Sequence, residues 1–115
     1  MTRAELAIRW PGIEADLAAV DEWLQAEAVH RLVTEPMARF IDRAQYLLDT
    51  YPDFPAEKTR TDVIIATIQA GGELWPIFVD SEDDFILEGR HRIVAFHILG
   101  LTTIPVIYVS KPLAD

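Results

Sequence analysis

Ile86-Leu87-Glu88-Gly89-Arg90-His91-Arg92-Ile93-Val94-Ala95-Phe96-His97-Ile98-Leu99-Gly100 reads as a short apolar strand, one glycine, three cationic-capable side chains and an apolar helix closed by a second glycine. A strand that hands over to a helix through glycine makes an anion site. The first helical turn has unpaired N–H groups and a partial positive charge, and both favour phosphate. Gly89 lets the backbone turn sharply and approach a ligand. Arg90, His91 and Arg92 add donors, and the arginine fork matches phosphate oxygens two at a time. Three cations at a helix N-terminus oppose its dipole, so their clustering calls for an anion. Glu88 would repel phosphate unless it holds a metal or takes a proton, so it marks chemistry or a cation. The alternative for Glu88 is a salt bridge to Arg90 or Arg92.

The 115 residues, half of them apolar, suffice for one domain, 1–115, with a packed core. No apolar run is long enough to span a membrane, and the N-terminus lacks a signal peptide's apolar centre. Cysteine is absent, which excludes disulfides and thiolate chemistry and fits a cytoplasmic protein. The net charge of −9 repels a nucleic-acid backbone over most of the surface. DNA is therefore not the expected partner. Two arginines and a histidine can hold one triphosphate but cannot track a duplex.

Outward from the central stretch, Asp84–Glu88 is the return strand of a hairpin whose first strand is 75–80. Residues 104–109 are apolar enough to be a central strand. Strand 84–88, helix 90–99 and strand 104–109 should form a right-handed βαβ unit with parallel strands. Upstream, the pattern gives a helix at 62–70 stopped by Gly71-Gly72, a mobile polar segment at 56–61 and a proline loop at 51–55. It also gives an amphipathic helix at 36–49, a strand or helix continuation at 29–34, a helix at 13–28 carrying Trp23 as an anchor, and a loose lead-in at 1–12. The tail after Val109 should fray. His30 and His97 have no partner at metal-ligand spacing, and the acids at 80–84 read as a hairpin tip.

The pieces Gly72…Pro76-Ile77…Val79, Glu88-Gly89-Arg90-His91-Arg92, Ala95 and Leu99-Gly100…Ile104-Pro105-Val106, in this order and spacing, resemble the ParB/sulfiredoxin superfamily over about residues 60–110. The resemblance implies a small mixed α/β sheet with packed helices, extended here by a helical N-terminal part at 13–55. It also implies a nucleotide pocket in which Gly89, His91 and Arg92 grip phosphate, Arg90 assists, and Arg60 faces the pocket. Members of that superfamily include a CTP-dependent DNA clamp, an ATP-dependent sulfinic-acid reductase and a kinase acting on free serine. Arg90 stands where the reductase has its cysteine, which excludes that reaction. The acid-Gly-x-His-Arg form is similar to that of the kinase, with Glu88 as base or Mg²⁺ ligand.

The expectation is thus a nucleotide-binding protein, using ATP or another NTP with Mg²⁺, that carries out phosphoryl transfer or NTP hydrolysis. The alternatives are a non-catalytic phage- or plasmid-type module that binds a protein through its acidic surface, and a ParB-like nuclease.

Overall fold

The computed structural model describes residues 1–21 and 30–110. Trp23, most of the second half of the expected 13–28 helix and the tail beyond Ser110 lie outside these residues. The described chain forms a mixed α/β fold. Its helices are α1 (Arg3–Arg9), α2 (Glu14–Ala19), α3 (Ile41–Thr50), α4 (Pro55–Gln69) and α5 (Arg90–Ile98). Its strands are β1 (Arg31–Pro36), β2 (Ile77–Asp80), β3 (Ile86–Glu88) and β4 (Thr103–Val109). They lie in the order β1-β4-β2-β3, with β2 and β4 parallel and the other pairs antiparallel.

The sheet is covered on both faces, and the two-residue period of its strands sorts the core. Ile104, Val106 and Tyr108 of β4, with Ile77 and Val79 of β2, meet the buried residues of α3 and α5. Ile107, Val109 and Phe78 point the other way, onto Leu6, Trp10, Ile13, Leu17 and Val20. The four consecutive buried residues Ile93–Phe96 fix α5 under the sheet, as its nearly all-round apolarity requires.

The central position of β4 is as expected, but the βαβ pairing is corrected. β3 is an edge strand antiparallel to β2, and the parallel neighbour of β4 is β2. A strand flanked on both sides and covered on both faces must be apolar throughout. Ile77-Phe78-Val79 is fully buried and meets that demand, whereas all three residues of β3 are only half-buried.

Four further boundaries differ. The lead-in is a helix, because Thr2 and Glu5 form a capping box: Glu5 N donates to Thr2 Oγ1 at 3.2 Å and Thr2 N to Glu5 Oε1 at 3.1 Å. That bonding lowers the Glu5 pKa. The 13–28 helix is broken, since α2 ends at Ala19 with Val20 as its cap. Pro36 closes β1 instead of opening a helix, because Met37 N donates to Thr102 O at 2.8 Å and prolongs the β1–β4 ladder. Residues 56–61 belong to α4, which starts on Pro55. Proline suits a first helical position, and a Lys58–Asp62 pair at 2.6 Å supports the next turn.

On the α3–α5 side, Tyr108 Oη donates to Glu35 and accepts from Arg39 Nη1, each at 2.7 Å. Burial, then the bond to Glu35, push its pKa up to about 12. The fold thus favours the neutral phenol. Its contribution to stability is complete below the ordinary value of 10 and drains as pH rises through 12. Thermal melts between pH 10 and 12 should therefore show a steeper loss of Tm for the wild type than for Tyr108→Phe. Equal slopes would remove Tyr108 as the cause.

Candidate functional site

The turn between β3 and α5 is set by a steric requirement. Gly89 has φ +108°, and a Cβ there would lie 2.5 Å from Ile77 Cγ2. Only glycine allows the chain to leave β3, pass over β2 and start α5 at this point. Arg92 N and Ile93 N both donate to Gly89 O, at 2.9 and 3.1 Å. No side chain caps the helix, so the Arg90 and His91 amides have no acceptor among the described residues.

A cleft of about 410 Å³ opens beside this turn. Phe85–Glu88 and Gly89 form one wall, and Arg90 and His91 rise from the first turn of α5. Arg43 of α3 and Arg60 of α4 complete it. A second hollow of about 270 Å³ shares Arg43 and Arg90 with the cleft and is lined by Leu47, Thr50, Tyr51, Phe54 and Glu57. Polar groups crowd the first space, while an exposed aromatic, Phe54, borders the second.

Glu57 governs the electrostatics. His91 donates from Nε2 to Glu57 Oε2, and the Arg90 guanidinium lies 3.6 Å from Glu57 Oε1. The His91 bond, aided by the charges of His91, Arg90 and Arg60, holds the Glu57 carboxyl below its ordinary range. An anion entering the cleft therefore meets cations already partly matched by a carboxylate and competes with it. Glu88 also lines the cleft, yet it makes no salt bridge among the described residues, so the expected link to Arg90 or Arg92 is not formed.

The structure brings Glu88, Gly89, Arg90, His91 and Arg60 to one cleft and leaves Arg92 out of it. Arg92 donates from Nη1 to Pro76 O at 2.8 Å and from Nη2 to Asp16 Oδ2, with its guanidinium 5.5 Å from the Trp75 ring centre. Its ion pair is largely buried, with both side chains about one-eighth exposed. It borders a different, mainly apolar cavity with Trp75, Phe96 and Thr67. Both terminal guanidinium nitrogens are thus committed to fastening α2 and the β2 approach onto α5.

Two lining residues carry no mark in the sequence. Arg43 looks like any cation on the outer side of an amphipathic helix. Glu57 lies in the stretch read as mobile; only its i,i+3 spacing from Arg60 points to a shared helix face.

Among the described residues no group of three or more His, Asp or Glu is placed to hold a metal. Glu88 could contribute one carboxylate to Mg²⁺, which ordinarily takes one or two together with substrate phosphates. Three acids of the β2–β3 turn are engaged: Asp80 accepts from Glu82 N and Asp83 from Phe85 N, both at 2.9 Å, and Asp84 pairs with Arg39 at 2.7 Å. His97 bonds Gln45 at 2.8 Å. No described helix is long and apolar enough to cross a membrane. Compared with known proteins, the chain matches no family model, no curated protein and no solved structure.

Proposed function

We propose that the protein binds a nucleoside triphosphate with its phosphates in the cleft at Gly89, and that it transfers or hydrolyses the terminal phosphoryl group. The observation that carries this reading is the convergence of Arg43, Arg60 and Arg90 with His91 on one cleft of a chain whose net charge is −9. Local positive charge of that density in an acidic protein favours a compact polyanion over an extended one. The Arg90 and His91 amides, without an acceptor among the described residues, add donors that cost no reorganisation. The adjoining hollow offers Phe54 as a face for a base or another flat ring. The acid-Gly-x-His-Arg turn, which resembles that of the ParB/sulfiredoxin superfamily, points the same way. In this reading Arg92 is an anchor of the fold and not a phosphate ligand.

Phosphoryl transfer needs a nucleophile in line with the leaving oxygen and compensation of the charge on the transferred group. Arg60, Arg90 and His91 supply the compensation. Glu88 takes the proton of an acceptor hydroxyl or of water as the new P–O bond forms, and the bond from the terminal phosphorus to the nucleoside diphosphate breaks. Mg²⁺, where Glu88 and the phosphates hold it, would neutralise the phosphate oxygens.

Isothermal titration with ATP, CTP, GTP and ADP in the presence of Mg²⁺ tests binding. Arg60→Ala and Arg90→Ala should each weaken the preferred nucleotide about 10- to 100-fold, the equivalent of roughly 1.5–3 kcal/mol for a hydrogen bond to a charged group. Glu88→Gln should abolish turnover. If Glu88 is only a base, affinity stays unchanged, and if it anchors Mg²⁺, the metal dependence of affinity falls as well. Absence of nucleotide binding, or affinity indifferent to both arginines, overturns the proposal.

A further inference from the structure

β1 is an edge strand, and the hang of its backbone decides what can pair with it. The bond from Met37 N to Thr102 O continues the β1–β4 register as a hydrogen-bonded pair. Hydrogen-bonded and non-hydrogen-bonded pairs alternate along an antiparallel ladder. Arg31, Val33 and Glu35 therefore turn their amides and carbonyls toward β4. Leu32 and Thr34 turn theirs outward, and both residues are exposed. Among the described residues, no main-chain group bonds them across that edge.

The side chains along this edge are self-complementary. Arg31 and Glu35 lie on one face of the strand, two places either side of Val33. If a second copy runs antiparallel about a twofold axis at Val33, Leu32 of each copy faces Thr34 of the other. Both have outward main-chain groups, so they exchange two hydrogen bonds. Arg31 then faces Glu35 of the second copy, twice by symmetry, in the closely spaced pairs where side chains approach best.

Both residues have capacity for this contact. The bonds Glu35 accepts from Arg39 and Tyr108 end on Oε2, which leaves Oε1. Arg31 lies over the Tyr108 ring, 4.6 Å from its centre, and has no carboxylate partner among the described residues. On the opposite face, Leu32, 42% exposed, comes diagonal to its own copy, within apolar reach. Moving the axis by one residue loses both ion pairs, and a parallel arrangement sets like charges abreast.

We propose that β1 is a self-recognition edge, through which two copies join antiparallel over residues 31–35 into one continuous sheet. Pro36, which lacks an amide, limits the pairing to this segment, and a twofold contact uses each β1 once, so the assembly closes at two.

Sedimentation equilibrium on the whole chain should give twice the 13.0 kDa chain mass. Leu32→Pro removes an outward amide and no bond to β4. It should raise the dimer dissociation constant at least about tenfold with far-UV circular dichroism unchanged. The chain has no cysteine, so Val33→Cys introduces a single thiol. On the axis of a non-hydrogen-bonded pair the two Cα atoms lie about 4.5 Å apart, within disulfide reach. Mild oxidation should cross-link Val33→Cys readily and Leu32→Cys or Thr34→Cys poorly. A monomer at every concentration overturns the proposal. So does a dimer that cross-links equally at all three positions, or one that a folded Leu32→Pro leaves intact. Should Leu32→Pro not fold, the cross-linking pattern alone decides.

Discussion

Gly89→Ala should lower the free energy of unfolding by about 2–6 kcal/mol, the sum of left-handed backbone strain and of overpacking against a neighbour that cannot yield. The new methyl would lie 2.5 Å from Ile77 Cγ2, 2.9 Å from Ile77 Cβ and 3.2 Å from Ile77 Cα. Ile77 is fully buried in the strand that pairs with both β3 and β4, so retreat would disturb two ladders. Gly71→Ala is the control. It shares the left-handed conformation, at φ +88°, but meets nothing within 4 Å, so it should show only the backbone part, about 1–3 kcal/mol. Denaturant unfolding of the two variants and the wild type checks the ordering. Equal losses would mean that the contact with Ile77 contributes nothing. Were the total near the lower end of the usual range of about 5–15 kcal/mol, the larger figure would leave Gly89→Ala partly unfolded at 25 °C.

Arg92→Ala should destabilise the fold by about 3–5 kcal/mol, because it strands the Asp16 carboxylate in a mostly buried position. The magnitude comes chiefly from the unpaired charge and not from the attraction that is lost. Removing both partners should therefore be far milder: Asp16→Leu with Arg92→Met replaces the pair by apolar groups of similar reach and should cost at most about 1 kcal/mol. A double-mutant cycle by denaturant unfolding measures this coupling. Titrating nucleotide into the folded fraction separates two roles. An anchor leaves affinity per folded molecule unchanged in the double variant, whereas a phosphate ligand would lower it about tenfold or more. If Arg92→Ala proved as stable as the wild type, Asp16 would need another partner and the anchoring role would be lost.

Local grammar in the chain carried most of the architecture. Gly89 and Gly100 bracket α5, and four buried residues in succession inside it follow from its all-round apolarity. β4 reads as central because residues 104–109 are apolar, and the structure buries five of its seven residues. Strand order was hidden for a different reason. Adjacent segments 84–88 and 104–109 look like one βαβ unit, and only the relative burial of β2 and β3 reveals that β2 lies between them. Pro76-Ile77-Phe78-Val79, apolar without alternation, held that information. The first two turns of α4 were missed because they bury little, so periodicity has nothing to register there until Thr61.

The site divided in the same way. Glu88 to His91 are contiguous, so one turn delivers them together. Arg43 reaches the cleft, and Glu57 reaches its His91 and Arg90, only through packing of α3 and α4 against α5, which no spacing along the chain encodes. Arg92 is marked in the sequence by its charge, but its fate depends on Asp16, 76 positions away.

The placement of β4 also bears on how the chain acquires its shape during synthesis. β1 and β2 do not touch each other in the sheet; each is held by β4, whose last residue is Val109. While the ribosome is still producing the region before Thr103, these two segments have no common template. Closure of the sheet is therefore a late event that joins Leu32 to Ile107 across 75 positions. Long-range pairing of this kind slows folding and leaves β1 and β2 without their shared partner until β4 emerges.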